Sequence, residues 1–161
     1  MGFDIHGINP KIHAERPSDD NPGLYFRNNV WWWRPLWEYV TEMCFDVMSE
    51  EDRKGGNFNS GYEINEQTTI EMVKVLTILV KSGFVKEYER TYKEMQENAE
   101  LEECNLCNGT GKRDDKHVKG KCNKCFGKGE HEPFDNNYPF DEENVINFIE
   151  FLEESGGIKI C

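Results

Sequence analysis

No apolar run in this chain approaches the length of a membrane span, which excludes a transmembrane helix from any reading of it. Basic residues are scarce as well: 19 Lys and Arg stand against 31 Asp and Glu, for a formal net charge of −12. That balance excludes a general nucleic-acid binder held by phosphate contacts, because such binding needs a positive face. Histidine is rare and scattered, as His6, His13, His117 and His131. No nucleophile with a neighbouring base and no working carboxylate pair can be recognised, so no enzyme is expected. No opening segment reads as a signal peptide, and most of the cysteines are spaced for metal. A reducing cytosol is therefore the expected compartment.

Aromatics, by contrast, are abundant. Four Trp, six Tyr and ten Phe in 161 residues can bury a genuine core, so the chain is not an acidic disordered tail. The length suits one domain, with room for a small appended module.

The strongest pattern lies between Cys104 and Gly129. It reads CNLCNGTG, a basic interval, then CNKCFGKG, the form C-x-x-C-x-G-x-G twice. Two pairs of thiolates, Cys104 with Cys107 and Cys122 with Cys125, can close a tetrahedral site around one zinc ion. Gly109, Gly111, Gly127 and Gly129 permit the positive φ angles and close backbone approach that such turns require. A site closed by four cysteines has no open coordination position, so the ion is expected to be structural. His117 or His131 in place of one cysteine is the alternative ligand set. Cys44 falls in an apolar helical pattern and reads as a small buried residue.

These octets resemble the cysteine-rich repeats of DnaJ-type co-chaperones, in which four repeats bind two zinc ions. This chain carries two repeats and no His-Pro-Asp triplet of a J-domain. The resemblance thus implies a hairpin with one zinc ion and a role in protein contact, and does not imply chaperone activity.

The interval between the octets is unusually basic. From Cys104 to His131 there are seven Lys and Arg residues (Lys112, Arg113, Lys116, Lys119, Lys121, Lys124, Lys128) against Asp114, Asp115 and Glu130. One explanation is local compensation, since a zinc tetrathiolate carries a charge of about −2. The other is a positive surface for nucleic acid or an acidic protein patch, with Lys116, Lys119 and Lys121 as its contacts.

The second unusual stretch is GLYFRNNVWWWRPLWEYV, residues 23–40. Asn28 or Asn29 can cap a helix there, yet Pro35 also suits the first position of one, so two starting points stay open. Leu36, Trp37, Val40, Met43, Cys44 and Val47 recur at helical spacing as core. If the helix runs back to Val30, Trp31 falls on the polar side. Either the N-terminal loop covers Trp31, or Arg27, Asn28, Trp31, Trp32 and Arg34 form a platform. Such a platform would hold a small nucleotide-like anion or anchor a partner. The string YFRNNVWWWRPLW, after the opening GFDIHGINP, is similar to the N-terminus of uncharacterised phage and bacterial proteins. It implies such an origin and no function. Asp4-Ile5-His6-Gly7 resembles the first metal motif of metallophosphatases, but the later motifs are absent and no catalytic site is expected there.

Phe3 and Ile5 alternate as a strand, and residues up to Gly23, with Pro10, Pro17 and Pro22, read as loop. Asn65 caps a helix whose inner side carries Ile70, Val73, Leu76, Thr77, Leu79 and Val80, ended by Gly83. A helix over 84–103 follows, with Val85, Tyr88, Tyr92, Met95 and Ala99 spaced for burial, and the two helices are expected to pair antiparallel. Asp141 caps a last helix, and Ile158 and Ile160 form a closing strand. The expected fold is α+β and mostly helical. It has a helical core, a small sheet shared by the two terminal strands, and a zinc hairpin at 104–131 inserted into a domain of residues 1–103 and 132–161.

The function expected from sequence is non-enzymatic binding or regulation of a host macromolecule by a phage or bacterial protein, with a protein partner ahead of a small anion or nucleic acid, and no membrane partner.

Overall fold

The computed structural model describes residues 2–11 and 21–161. The rest of the proline-rich loop expected before Gly23, with Pro17 and His13, lies outside them. The chain divides into two compact units, Met1–Tyr92 with Tyr138–Cys161, and Lys93–Asn137. The first is an α+β body, and the expected 104–131 hairpin falls within the second.

In the first unit, strand β1 (Gly2–Gly7) pairs antiparallel with β2 (Tyr25–Asn29) and with the last strand, whose other edge takes β3 (Tyr62–Ile64). That last strand, Ile158–Ile160, is numbered β8 in chain order, and the sheet runs β2-β1-β8-β3. Ile5 lies opposite Ile160, so the two termini do share one sheet. Alternation sends Phe3, Ile5, Ile64, Ile158 and Ile160 to the covered face.

Helix α1 (Val30–Met43) begins where β2 ends. Of the two starting points, the earlier holds: the Asn29 side chain accepts from the Trp31 and Trp32 amides at 3.0 and 3.2 Å. Pro35 is accommodated inside the helix, buried. Trp33, Leu36, Trp37 and Val40 form its core face, and Trp33 stacks between Phe3 and Trp37. The Trp33 and Trp37 indoles donate to the Gly56 and Arg53 carbonyls beside α2 (Glu50–Gly55).

Helices α3 (Glu66–Lys81) and α4 (Phe84–Glu97) follow. Three expectations are corrected here. The apolar side of α3 centres on Thr69, Met72 and Leu76, which leaves Ile70 42% exposed. Helix α4 stops at Glu97, and its Met95 is 68% exposed. Finally, α3 packs chiefly along α5 (Glu142–Ser155), whose Val145, Phe148, Ile149 and Leu152 offer a wider apolar face than α4 does. The inward side chains Val85, Tyr88 and Tyr92 of α4 instead join an aromatic cluster with Tyr39 and Phe140. Asp141 caps α5 as expected, and Gly156 closes it in a left-handed turn.

The second unit contains two short antiparallel ribbons. One joins β4 (Glu102–Glu103) to β7 (Glu130–His131), and the other joins β5 (Lys112–Asp114) to β6 (Lys119–Lys121). Its buried cluster consists of four cysteines.

Candidate metal centre

Each octet makes the same turn, at an offset of eighteen residues read from the sequence rows. After the second cysteine, Asn108 and Phe126 take positive φ of 48° and 53°. The next turn then brings an amide back to sulfur: Gly111 N–H donates to Cys107 Sγ and Gly129 N–H to Cys125 Sγ, each at 3.3 Å. The two turns also bond each other reciprocally, Cys104 N–H to the Gly129 carbonyl at 2.8 Å and Cys122 N–H to the Gly111 carbonyl at 2.9 Å. This approach explains the second glycine of each octet. A Cβ on Gly111 would lie 2.4 Å from the Gly127 carbonyl oxygen, and one on Gly129 would lie 2.2 Å from that of Gly109.

The result is a quartet of buried thiols whose sulfurs all lie within 4.8 Å of one another. Cys104 and Cys122 sulfurs are 3.8 Å apart, and Cys107 and Cys125 sulfurs 3.7 Å. Tetrahedral coordination with metal–sulfur bonds of about 2.3 Å requires sulfur–sulfur spacings of about 3.8 Å, so the quartet fits a metal ion such as zinc. The sulfurs differ in their surroundings. Burial raises the Cys125 thiol, but the amides of Gly129 and Gly127 and the neighbouring thiols outweigh it and bring it down to about 6. Burial dominates at Cys107 and pushes it up to about 11, the Gly111 amide opposing. Cys122 is lowered by the amide of Cys125, against burial. Four thiolates confined this closely need a cation to coexist.

Neither histidine considered as a ligand belongs to the quartet. His117 is exposed, its backbone amide bound to Asp115, and the His131 ring faces the Glu132 carbonyl. Cys44 is buried in the first unit, and Cys161 is half-buried there.

The basic interval forms the β5–β6 ribbon. Lys112 lies directly across from Lys121, and Asp114 from Lys119, so three ammonium groups share one face with a single carboxylate. Lys116 is exposed in the connecting turn. Among the described residues none of these four lysines makes an ion pair. Arg113 differs from them, being tied to Asp115 and Asn123. Asp115, held low by the His117 and Val118 amides, organises the turn.

The N-terminal candidates lie along β2 and the first turns of α1. Arg27 faces Asp4 at 3.6 Å, and Asp4 also accepts from the Tyr25 hydroxyl. Trp31, 38% exposed, rests against the Tyr138 ring, while Arg34 is exposed. Asn28 is buried and bonded to Asn144. With Trp32 it borders a shallow depression of about 210 Å³ beside Asp141 and Glu143, whose carboxylates repel anions. The loop expected to cover Trp31 falls partly outside the described residues.

Sequence reading passed over Phe126 and Phe134, which line a cleft of about 470 Å³ in the second unit. The available signal was a phenylalanine where the sister octet has Asn108.

Fold and site define a small α+β protein with a closed four-cysteine cluster. No family model, curated protein or solved structure matches the chain. No helix among the described residues is long and apolar enough to cross a membrane.

Proposed function

We propose that Cys104, Cys107, Cys122 and Cys125 hold one structural zinc ion, and that the protein is a non-enzymatic binding protein whose zinc-braced basic ribbon contacts another macromolecule. The observation that carries this reading is the convergence of four sulfurs within 4.8 Å of one another, two of the pairs at 3.7 and 3.8 Å, and a tetrathiolate shell leaves no place for water. Such a centre shapes a surface and does not activate a substrate. The surface it shapes bears the unpaired lysines of β5 and β6. The similarity of the N-terminal segment to phage and bacterial proteins supports a partner in a bacterial cytosol, with an acidic protein patch as the natural complement.

Native mass spectrometry of freshly purified protein should find one zinc ion per chain, and Cys107→Ser or Cys122→Ser should lose it. Metal-free fresh protein would sink the zinc assignment. Reversing Lys116, Lys119 and Lys121 to Glu should abolish partner binding while zinc content persists. Binding that survives the reversal removes the ribbon from the interface. A nucleic-acid partner would instead show affinity falling steeply with salt.

A further inference from the structure

The two octets match turn for turn, with one difference of chemical kind. At the position after the second cysteine the backbone is left-handed in both, φ 48° at Asn108 and φ 53° at Phe126. Asparagine tolerates that conformation, whereas for a bulky residue it is a genuine outlier, costing about 1–2 kcal/mol. Packing does not offset the cost, because Phe126 is 80% exposed. A strained, exposed aromatic side chain held on a metal-clamped turn is poor design for folding and good design for contact.

Its surroundings indicate the contact. Phe126 and the exposed Phe134 border the 470 Å³ cleft, with Lys124 and Lys128 flanking Phe126 in the chain and Glu102, Glu130 and Glu132 also lining it. Asn105 accepts from the Lys124 ammonium at 2.9 Å, which steadies that side chain. Among the described residues neither of these lysines pairs with any of the three glutamates, although all of them line one cleft. A nucleic acid or other polyanion would meet the glutamates, and a purely apolar ligand would strand charges of both signs. A polypeptide can answer all of these groups at once.

We propose that this cleft is a peptide-docking site. It takes an apolar side chain of a partner protein against Phe126 and Phe134, with a carboxylate of the same segment toward Lys124 and Lys128 and a basic group toward Glu130 and Glu132. The inference deepens the binding reading above but uses none of the ribbon lysines, so the two can fail separately.

The decisive variant is Phe126→Asn, which installs the residue of the sister octet. Binding is read by fluorescence anisotropy with a short labelled peptide bearing a central Leu, glutamates on one side and lysines on the other. Comparison probes are its all-Glu, all-Lys and Leu→Gly versions and an oligothymidylate. The mixed-charge Leu peptide should bind most tightly, and Phe126→Asn should weaken it at least about tenfold. That variant should keep its zinc and melt no lower than the parent, since asparagine relieves the backbone. The Lys116, Lys119, Lys121 reversal should leave peptide binding intact. The proposal is overturned if no peptide binds, if Phe126→Asn binds as the parent does, or if that variant sheds zinc. Preferential binding of the oligothymidylate, or a self-association that Phe126→Asn dissolves, overturns it equally.

Discussion

Gly111 and Gly129 bear a harder constraint than the glycines two positions before them. All four have positive φ, so alanine at any of them costs about 1–2 kcal/mol of backbone strain. At Gly111 and Gly129 the new Cβ would also strike a carbonyl oxygen of the facing turn, which cannot move without breaking the cluster. At Gly109 and Gly127 its nearest neighbours would be the Glu103 and Lys121 side chains, at 3.2 and 3.3 Å, with the Gly111 carbonyl oxygen at an ordinary 3.7 Å from the latter position. Gly111→Ala and Gly129→Ala are therefore expected to lose stoichiometric zinc in competition with a chromophoric chelator, and Gly109→Ala and Gly127→Ala to retain it. Equal loss in all four would show that φ alone matters. Cys44 offers a pH test in the first unit. Burial pushes its thiol from 9.0 up to about 12. A raised acid stabilises the fold fully below its unfolded value and loses that contribution as pH climbs from about 9 toward 12. Cys44→Ala should thus cost about 1 kcal/mol near pH 7 through its small cavity. The gap should narrow by up to about 1.4 kcal/mol per unit above pH 9. Urea midpoints at pH 7.5 and 10 check this, and a pH-independent gap refutes it.

At the scale of elements, the β2–α1 junction shows how a single side chain sets a boundary. Asn29 ends a strand and starts a helix, its carboxamide oxygen satisfying two of the four amides a helix start leaves open. Without it the first turn, with Trp31 and Trp32, would begin with those amides unpaired. Asn29→Ala should cost about 1 kcal/mol, read as a lower urea midpoint by tryptophan fluorescence, and Asn29→Asp should preserve most of the stability. No change in Asn29→Ala would mean that Pro35 and the packed indoles alone hold the helix in place. The mispaired α3 and α4 teach a related lesson. Both helices carry apolar residues at helical spacing, but spacing does not say which face meets which. Packing of α3 along α5 outweighed the short connection from α3 to α4.

Taken as a whole, the molecule separates its reporters usefully. Trp31, Trp32, Trp33 and Trp37 all lie in the first unit, whereas the four cluster cysteines lie in the second. Stripping zinc with a strong chelator should therefore leave tryptophan emission and its urea transition unchanged. It should speed amide exchange or proteolysis between 93 and 137, where the buried cluster consists of the cysteines themselves. A tryptophan spectrum that shifts with zinc would show that the first unit depends on the metal. The charge is also divided. Seven basic against three acidic residues leave +4 on 104–131, and hence −16 on the remainder of the −12 chain. Contact through the ribbon should therefore favour acidic partners.

The four-cysteine cluster was legible before any fold was known, because residue type, spacing and flanking glycines are local properties of CNLCNGTG and CNKCFGKG. So were the caps at Asn65 and Asp141 and the strands through Phe3, Ile5, Ile158 and Ile160, each written in a few adjacent residues. Tertiary structure alone decided what depends on residues far apart in the chain. It set the order of the sheet as β2-β1-β8-β3, set α3 on α5, and chose Asn29 over Pro35 as the start of α1. It also made Phe126 conspicuous. In the sequence that residue is one more aromatic; only the backbone φ and the emptiness around its ring show that it was placed against the preference of its own turn.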